Sequence, residues 1–389
     1  MTIKLQRYLI ISLAALLLCP VLCATPARAD LAPTWQYELP GGGGEDNFDG
    51  AILGMYTEPG HPLLYVWTFD GDVYAFNQSG SVVWKGFMED DYYTPAINPN
   101  GDLWLIGTDR IKAYSLKGEV LIDKPIVKTP PQKQTKRAVV TTMSPDFDAV
   151  YGLNIDGDFV WAVHELGDYQ NIMKNNVNPG MYFLIDTMND DDTQIFYGLS
   201  PWSDIEWAYD TSDYAEMPVY GVSAQLRRDG SVVMAEAYGA DMLIDGYGEP
   251  GRLFSVSSKG EFEWEYPEEV CLVSNDSTDN GSVFVVTPEF ALRAISRKGN
   301  DLWDVIYDDT DSLLYCHPAA GSSAVVHFWA YIPDTNDLYA DYVARVASNG
   351  DVVGEAWLED PVNYYGYSVM FGDTYVVTDG EYALRAFDF

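Results

Sequence analysis

Histidine and basic residues are scarce in this chain. Its 389 residues hold 4 histidines and 22 lysines and arginines against 59 aspartates and glutamates, a formal charge of −37. Such an excess repels nucleic acid and anionic lipid, and favours cations and basic partners besides keeping the chain soluble. The histidines, His61, His164, His317 and His327, stand alone in different stretches, each read as a satisfied structural group. No G-x-S-x-G elbow, phosphate-binding glycine loop or H-E-x-x-H pair occurs. Isolated acids such as Asp156 are too common to single out a catalytic pair. The sequence identifies no reaction.

Cysteine is also rare. Cys19 and Cys23 fall in an N-terminal stretch that reads as a secretory signal, with basic Lys4 and Arg7, an apolar run from Leu9 to Leu18, and Ala27-Arg28-Ala29 before Asp30. The run is too short and too early for a membrane span, and neither cysteine follows the small residues of a lipoprotein signal. Residues 1–29 are expected to be cleaved, leaving residues 30–389 as one domain exported to the periplasm or beyond. Losing Lys4, Arg7 and Arg28 from 22 basic residues leaves 19 against 59 acidic ones, a formal charge of −40. Cys271 and Cys316 remain, each at the start of its own repeat. They form either a Cys271–Cys316 disulfide, as export permits, or two buried thiols. Two lone cysteines cannot close a zinc site.

What is present is periodicity. Leu-Tyr-Val-Trp-Thr-Phe from Leu64 leads to Asp70-Gly71-Asp72, then Val-Tyr-Ala-Phe, then Asn77-Gln78-Ser79-Gly80 and Ser-Val-Val-Trp84. Strand-length apolar segments separated by Asp-Gly and Ser-Gly turns predict hairpins. No sustained 3.6-residue stripe follows the signal, so the chain is all-β. The hairpin recurs: Gly80 precedes Trp84, Gly260 precedes Trp264 and Gly299 precedes Trp303. Weaker copies set Gly118 before Ile122, Gly350 before Gly354 and Ser203 before Trp207. A small residue marks the preceding strand at Ala75, Ala113, Ala294 and Ala344. The copy around Tyr151 to Asp168 is the least regular.

Four-stranded repeats of about 40 to 55 residues predict a β-propeller. The last copy, Tyr382 to Phe389, stops before its glycine hairpin. Trp35-Gln36-Tyr37 at the mature N-terminus supplies the missing outer strand and hides a sheet edge. The count is eight antiparallel blades, or seven if the irregular copy is not a full blade.

The run from Ala75 to Trp84 resembles the repeat of pyrroloquinoline-quinone-like (PQQ-like) propellers, and Ala294–Trp303 and Ser255–Trp264 match it again. The resemblance covers nearly all of the mature chain. It implies blades rather than chemistry, because the family holds both quinoprotein dehydrogenases and non-catalytic periplasmic scaffolds. The dehydrogenases are longer and carry a vicinal disulfide, and no Cys-Cys pair exists here. The resemblance therefore implies a scaffold without pyrroloquinoline quinone. The alternative is a quinone-dependent oxidoreductase or a glycan-active propeller enzyme.

In a propeller the inter-blade connections and the middle hairpins share one face. Those connections carry Glu45-Asp46-Asn47-Phe48-Asp49, Glu89-Asp90-Asp91-Tyr92-Tyr93, Asp210 to Tyr214, Asp308-Asp309-Thr310-Asp311 and Glu359 to Tyr364-Tyr365. The middle hairpins are expected to add Asp70, Asp72, Asp109, Asp156, Asp158, Asp379 and Glu381. Asp90, Asp91, Tyr92, Tyr93, Asp308, Asp309, Asp311, Tyr364 and Tyr365 are the candidate ligand-binding residues. Carboxylates at Asp308, Asp309 and Asp311 suit calcium, and tyrosines flanked by acids suit a glycan or a basic protein segment. A monomer binding protein or glycan, without nucleic acid or a membrane span, is the expectation. One segment breaks the acidic rule: Lys124, Lys128, Lys133, Lys136 and Arg137 lie within residues 123–137, read as a basic loop that either covers the acidic face or meets an anionic partner.

Overall fold

A small residue opposite a large ring is the unit from which this fold is built. In the first copy the strand Asp72–Phe76 turns into Val82–Phe87, and Ala75 pairs directly with Trp84. The Asn77 carboxamide oxygen accepts the N–H groups of Ser79 and Ser81, both at 3.0 Å. Gly80, at φ +74°, supplies the left-handed residue that closes the turn. The same bonds recur from Ser115, Asn154, Ser200 and Ser257.

Further round, Ala113 faces Ile122, Gly152 faces Trp161, Gly198 faces Trp207, Ser255 faces Trp264 and Ala294 faces Trp303. The smallness is steric: a Cβ on Gly152 or Gly198 would meet its tryptophan at 2.2 Å. One hairpin inverts the pair, with Arg345 opposite Gly354. The position equivalent to Ala294 is thus Arg345, not Ala344. The irregular third copy carries the hairpin intact, as Gly157 followed by Trp161.

The computed structural model describes residues 32–40, 51–58, 60–88, 93–98, 100–107, 110–126, 137–143, 149–164, 169–174, 183–188, 194–200, 202, 204–210, 223–227, 229–235, 250–270, 272–273, 280–288, 291–306, 312–319, 323–331, 339–357, 367–379 and 382–388. They form eight antiparallel sheets. In chain order, sheets 1 to 7 span residues 52–87, 93–125, 140–164, 169–210, 223–265, 272–306 and 312–357. Sheet 8 joins residues 368–388 to the N-terminal strand Trp35–Glu38, which pairs with Ala383–Ala386 as the sequence predicts. Seven sheets are four-stranded blades; the expected eight is corrected, because sheet 3 has three strands among the described residues. Its Asn154–Gly157 turn matches the Asn77–Gly80 turn, so its strands stand in the second, third and outer positions.

Eight apolar clusters fill the seams between successive sheets. Leu64, Val66, Phe371 and Leu384 close the ring between sheets 8 and 1, each large side chain contributing about 1.5–3 kcal/mol. The outer-strand rings add a second tie. Trp35 packs against Gly80 of the next sheet, Trp84 against Gly118, Trp207 against Gly260 and Trp264 against Gly299. The indole N–H groups of Trp35, Trp84 and Trp264 donate to Gln78 O (3.1 Å), Leu116 O (3.2 Å) and Arg297 O (2.9 Å) in those turns.

Candidate functional site

The glycine turns mark one end of the strands, the hairpin end. The connections between sheets and the turns between second and third strands leave from the other. Met88, just after the outer strand of sheet 1, donates its N–H to Gly71 O at 2.8 Å, so this connection starts beside the Asp70–Gly71 turn. The approach needs a glycine: at φ +82°, a Cβ on Gly71 would stand 2.0 Å from Met88 O.

Of the candidate residues, Tyr93 opens the inner strand Tyr93–Ile97. Asp90, Asp91, Tyr92, Asp308, Asp309, Asp311, Tyr364 and Tyr365 lie outside the described residues. The strand pairs that flank them, Val82–Phe87 with Tyr93–Ile97, Asp301–Ile306 with Ser312–Pro318, and Val352–Trp357 with Ser368–Phe371, meet at the connection end. Among the described residues no three His, Cys, Asp or Glu are grouped to hold a metal. Two expected members of the acidic face belong elsewhere. Asp156 and Asp158 flank Gly157, whose turn packs on Ile122 at the hairpin end.

Several described acids carry basic or tyrosine partners, some within one sheet and some between neighbouring sheets. Lys85 meets Asp72 at 2.5 Å and sits 5.0 Å above the Tyr74 ring. Asp123 takes Arg110 and, at 4.0 Å, Lys112; the hydrogen bond from Arg110 holds its carboxyl below the usual range. Arg252 approaches Glu265 at 3.7 Å and donates to Tyr209 Oη at 3.0 Å. Arg293 bridges Glu268 and Tyr266 Oη, and Tyr266 donates to Asp301 at 2.5 Å. The signal for these pairs was in the sequence, since Asp72 to Lys85 and Arg110 to Asp123 are both 13 residues apart across a hairpin. The segment read as a basic loop begins differently: Asp123 and Lys124 belong to the outer strand Val120–Pro125, and Lys124 reaches Asp158 at 2.7 Å.

The histidines are not all isolated. His317 and His327 occupy adjacent strands of sheet 7 and face sheet 8 together. His327 Nδ1 shares a 2.8 Å hydrogen bond with Tyr375 Oη, and His317 Nε2 shares one of 2.8 Å with Ser368 Oγ. Burial first, and His327 second, pull the His317 pKa down to about 4. A base that weak does not take a serine proton near neutral pH, so the Ser368–His317 pair ties two blades together rather than forming a nucleophile. His61 is held by Leu63 and by Gly101 O at 3.0 Å, a structural role, and His164 is exposed at a strand end. Cys316 carries a free thiol facing sheet 6, its pKa raised by burial; Cys271 is outside the described residues.

No family model matches the chain, and no curated protein matches it in sequence. Solved structures resemble it throughout. BamB from Moraxella catarrhalis superposes with a TM-score of 0.57 at 12% identity, covering 92% of this chain and 100% of that one. The C-terminal WD40 domain of Sif2 gives 0.56 at 11% identity, covering 93% and 99%. A computationally designed protein, Ika8, gives 0.53 at 10%, covering 88% and 98%. At these identities the likeness defines the fold. The chain is an all-β propeller of four-stranded antiparallel blades. Among the described residues no helix is long and apolar enough to cross a membrane.

Proposed function

We propose that this protein is an exported, non-catalytic scaffold of the PQQ-like repeat type, recognising a partner through its connection end. The observation that carries this reading is topological: the strands deliver the acid- and tyrosine-bearing connections to one end of the ring. Even with all 22 basic residues paired, 37 of the 59 acids lack a basic side chain, and these connections hold the densest runs. A basic protein segment or a glycan suits that surface, and calcium suits Asp308, Asp309 and Asp311.

The test is calorimetry of the mature protein with calcium, basic peptides and a glycan panel, repeated on Asp90→Asn/Asp91→Asn/Asp308→Asn/Asp309→Asn. Saturable binding that the quadruple variant loses at unchanged unfolding temperature supports the assignment. Binding that survives the substitutions, or a variant that unfolds, defeats it.

A further inference from the structure

The seam between sheets 7 and 8 lacks the tie that fastens most of the others. Trp35, Trp84, Trp207 and Trp264 each pack on a glycine turn of the following sheet, and Trp303 meets Gly350 in the same way. In sheet 7 that position of the outer strand is Gly354, opposite Arg345, and it supplies no ring to sheet 8. Sheet 8 in turn has no glycine turn to receive one, because its outer strand, Trp35–Glu38, comes from the other end of the chain. The apolar filling is also thin. Five buried residues, Val325, Val343, Tyr375, Val377 and Phe387, form the cluster between sheets 7 and 8, against ten in the cluster between sheets 8 and 1.

In place of a ring tie, this seam carries imidazoles. His327 is fully buried and shares its hydrogen bond with Tyr375 Oη, the two rings lying edge to face at 6.1 Å. His317, on the neighbouring strand, shares one with Ser368 Oγ, and its ring stands 5.7 Å from that of Tyr375. Both bonds cross from sheet 7 to sheet 8. Strand alternation sets Arg345 with Val343 and Arg385 with Phe387 on this seam, and Asp341 and Asp379 share that alternation in their strands.

A neutral imidazole suits this setting and an imidazolium does not. A proton on His317 would place a charge among valines, next to a second histidine, and burying such a charge is costly. The closed seam keeps His317 neutral down to about pH 4, whereas an opened seam would return it to its ordinary 6.5. Between those values the closed seam binds fewer protons, so acid favours opening. The opposite flank of sheet 8 has no such group in its cluster, and Trp35 fastens it to sheet 1 through Gly80 and Gln78 O.

We infer that the seam between sheets 7 and 8 is an acid-operated latch: protonation of the His317–His327 pair parts sheet 8 from sheet 7, while sheet 8 and its N-terminal strand stay on sheet 1. The ring then opens at a joint that the outer-strand indole does not bridge, turning Val325, Val343, Val377 and Phe387 towards water.

The test is thiol accessibility in the full mature chain. Val377→Cys places a probe in this seam and Val233→Cys a control in the seam between sheets 5 and 6, both at buried positions. Reaction with dithiodipyridine is followed at about pH 7 and about pH 5, relative to the same thiol in the unfolded chain and after subtracting the signal of the native cysteines. His317 alone should raise the opening equilibrium about twentyfold over that range, so the Val377→Cys rate should rise by about that factor and the Val233→Cys rate by less than about threefold. Adding His317→Asn to Val377→Cys should shrink the rise severalfold. No rise at Val377→Cys, an equal rise at both probes, or a rise that His317→Asn leaves undiminished overturns the latch. Circular dichroism confirms that each variant is folded; where one is not, Met370→Cys in the same seam replaces Val377→Cys, and His317→Gln replaces His317→Asn.

Discussion

Replacing Gly118 with alanine tests the joint that ties each blade to the next. Gly118 sits at φ +80°, where an L-residue pays about 1–2 kcal/mol. A Cβ there would also stand 2.6 Å from Trp84 Cγ and 2.8 Å from Trp84 Cβ. The ring has little room to retreat: its indole N–H is bonded to Leu116 O, the Tyr114 ring stacks on it at 5.1 Å, and Tyr65 lies at 5.7 Å. Forcing that group aside costs about 1–3 kcal/mol more. Alanine also stiffens the unfolded chain, offsetting about 0.4–1 kcal/mol. The net expectation is a loss of about 2–4 kcal/mol.

Gly60→Ala is the control. Gly60 has almost the same dihedral, φ +79°, with nothing within 4 Å of the added Cβ, so it should cost about 1 kcal/mol. Guanidinium unfolding followed by tryptophan fluorescence compares the two, provided the slopes agree. If Gly118→Ala costs no more than Gly60→Ala, the packed turn is not what joins the sheets.

Acid should weaken the seam between sheets 7 and 8. The folded pKa of His317 is about 4, below its ordinary 6.5, so the folded state binds fewer protons than the unfolded chain between those values. Its contribution is fully present above pH 6.5 and falls by about 3 kcal/mol as pH drops through 6.5 to 4. His317→Asn should flatten that part of the stability profile relative to wild type; parallel profiles would refute the buried neutral imidazole. The cysteines give a simpler count: with Cys316 a free thiol, Ellman titration of the unfolded mature protein without reductant should find two thiols, and none would establish the Cys271–Cys316 bridge.

The blade pattern was legible because it is local. Gly80-x-x-x-Trp84, its small partner Ala75 and the side-chain acceptor Asn77 lie within ten residues, so steric demand writes itself into adjacent positions. The third copy reads as the least regular because Gly157 and Trp161 stand in irregular surroundings, although Gly152 stands where Ala75 does. The seventh copy, Gly350 before Gly354, reads as a weaker match because glycine stands where tryptophan stands elsewhere, with Arg345 opposite it. Assigning Asp156 and Asp158 to the wrong end came from the same source, since a hairpin's end of the sheet depends on counting strands correctly. The histidine seam was illegible for another reason. His327 meets Tyr375 across 48 residues, and only the angular packing of successive sheets sets that contact.

The two ends of the ring are built by different means, and that difference bears on function. At the hairpin end, turns are closed by their own Asn and Ser side chains and pinned by an indole from the preceding sheet. Any side chain carried by such a turn is held on a rigid mount. At the connection end, two of the described strand pairs carry ion pairs, Lys85 with Asp72 and Arg252 with Glu265. The hairpin end is thus held by packing between neighbouring sheets, and the described part of the connection end by ion pairs near the strand ends.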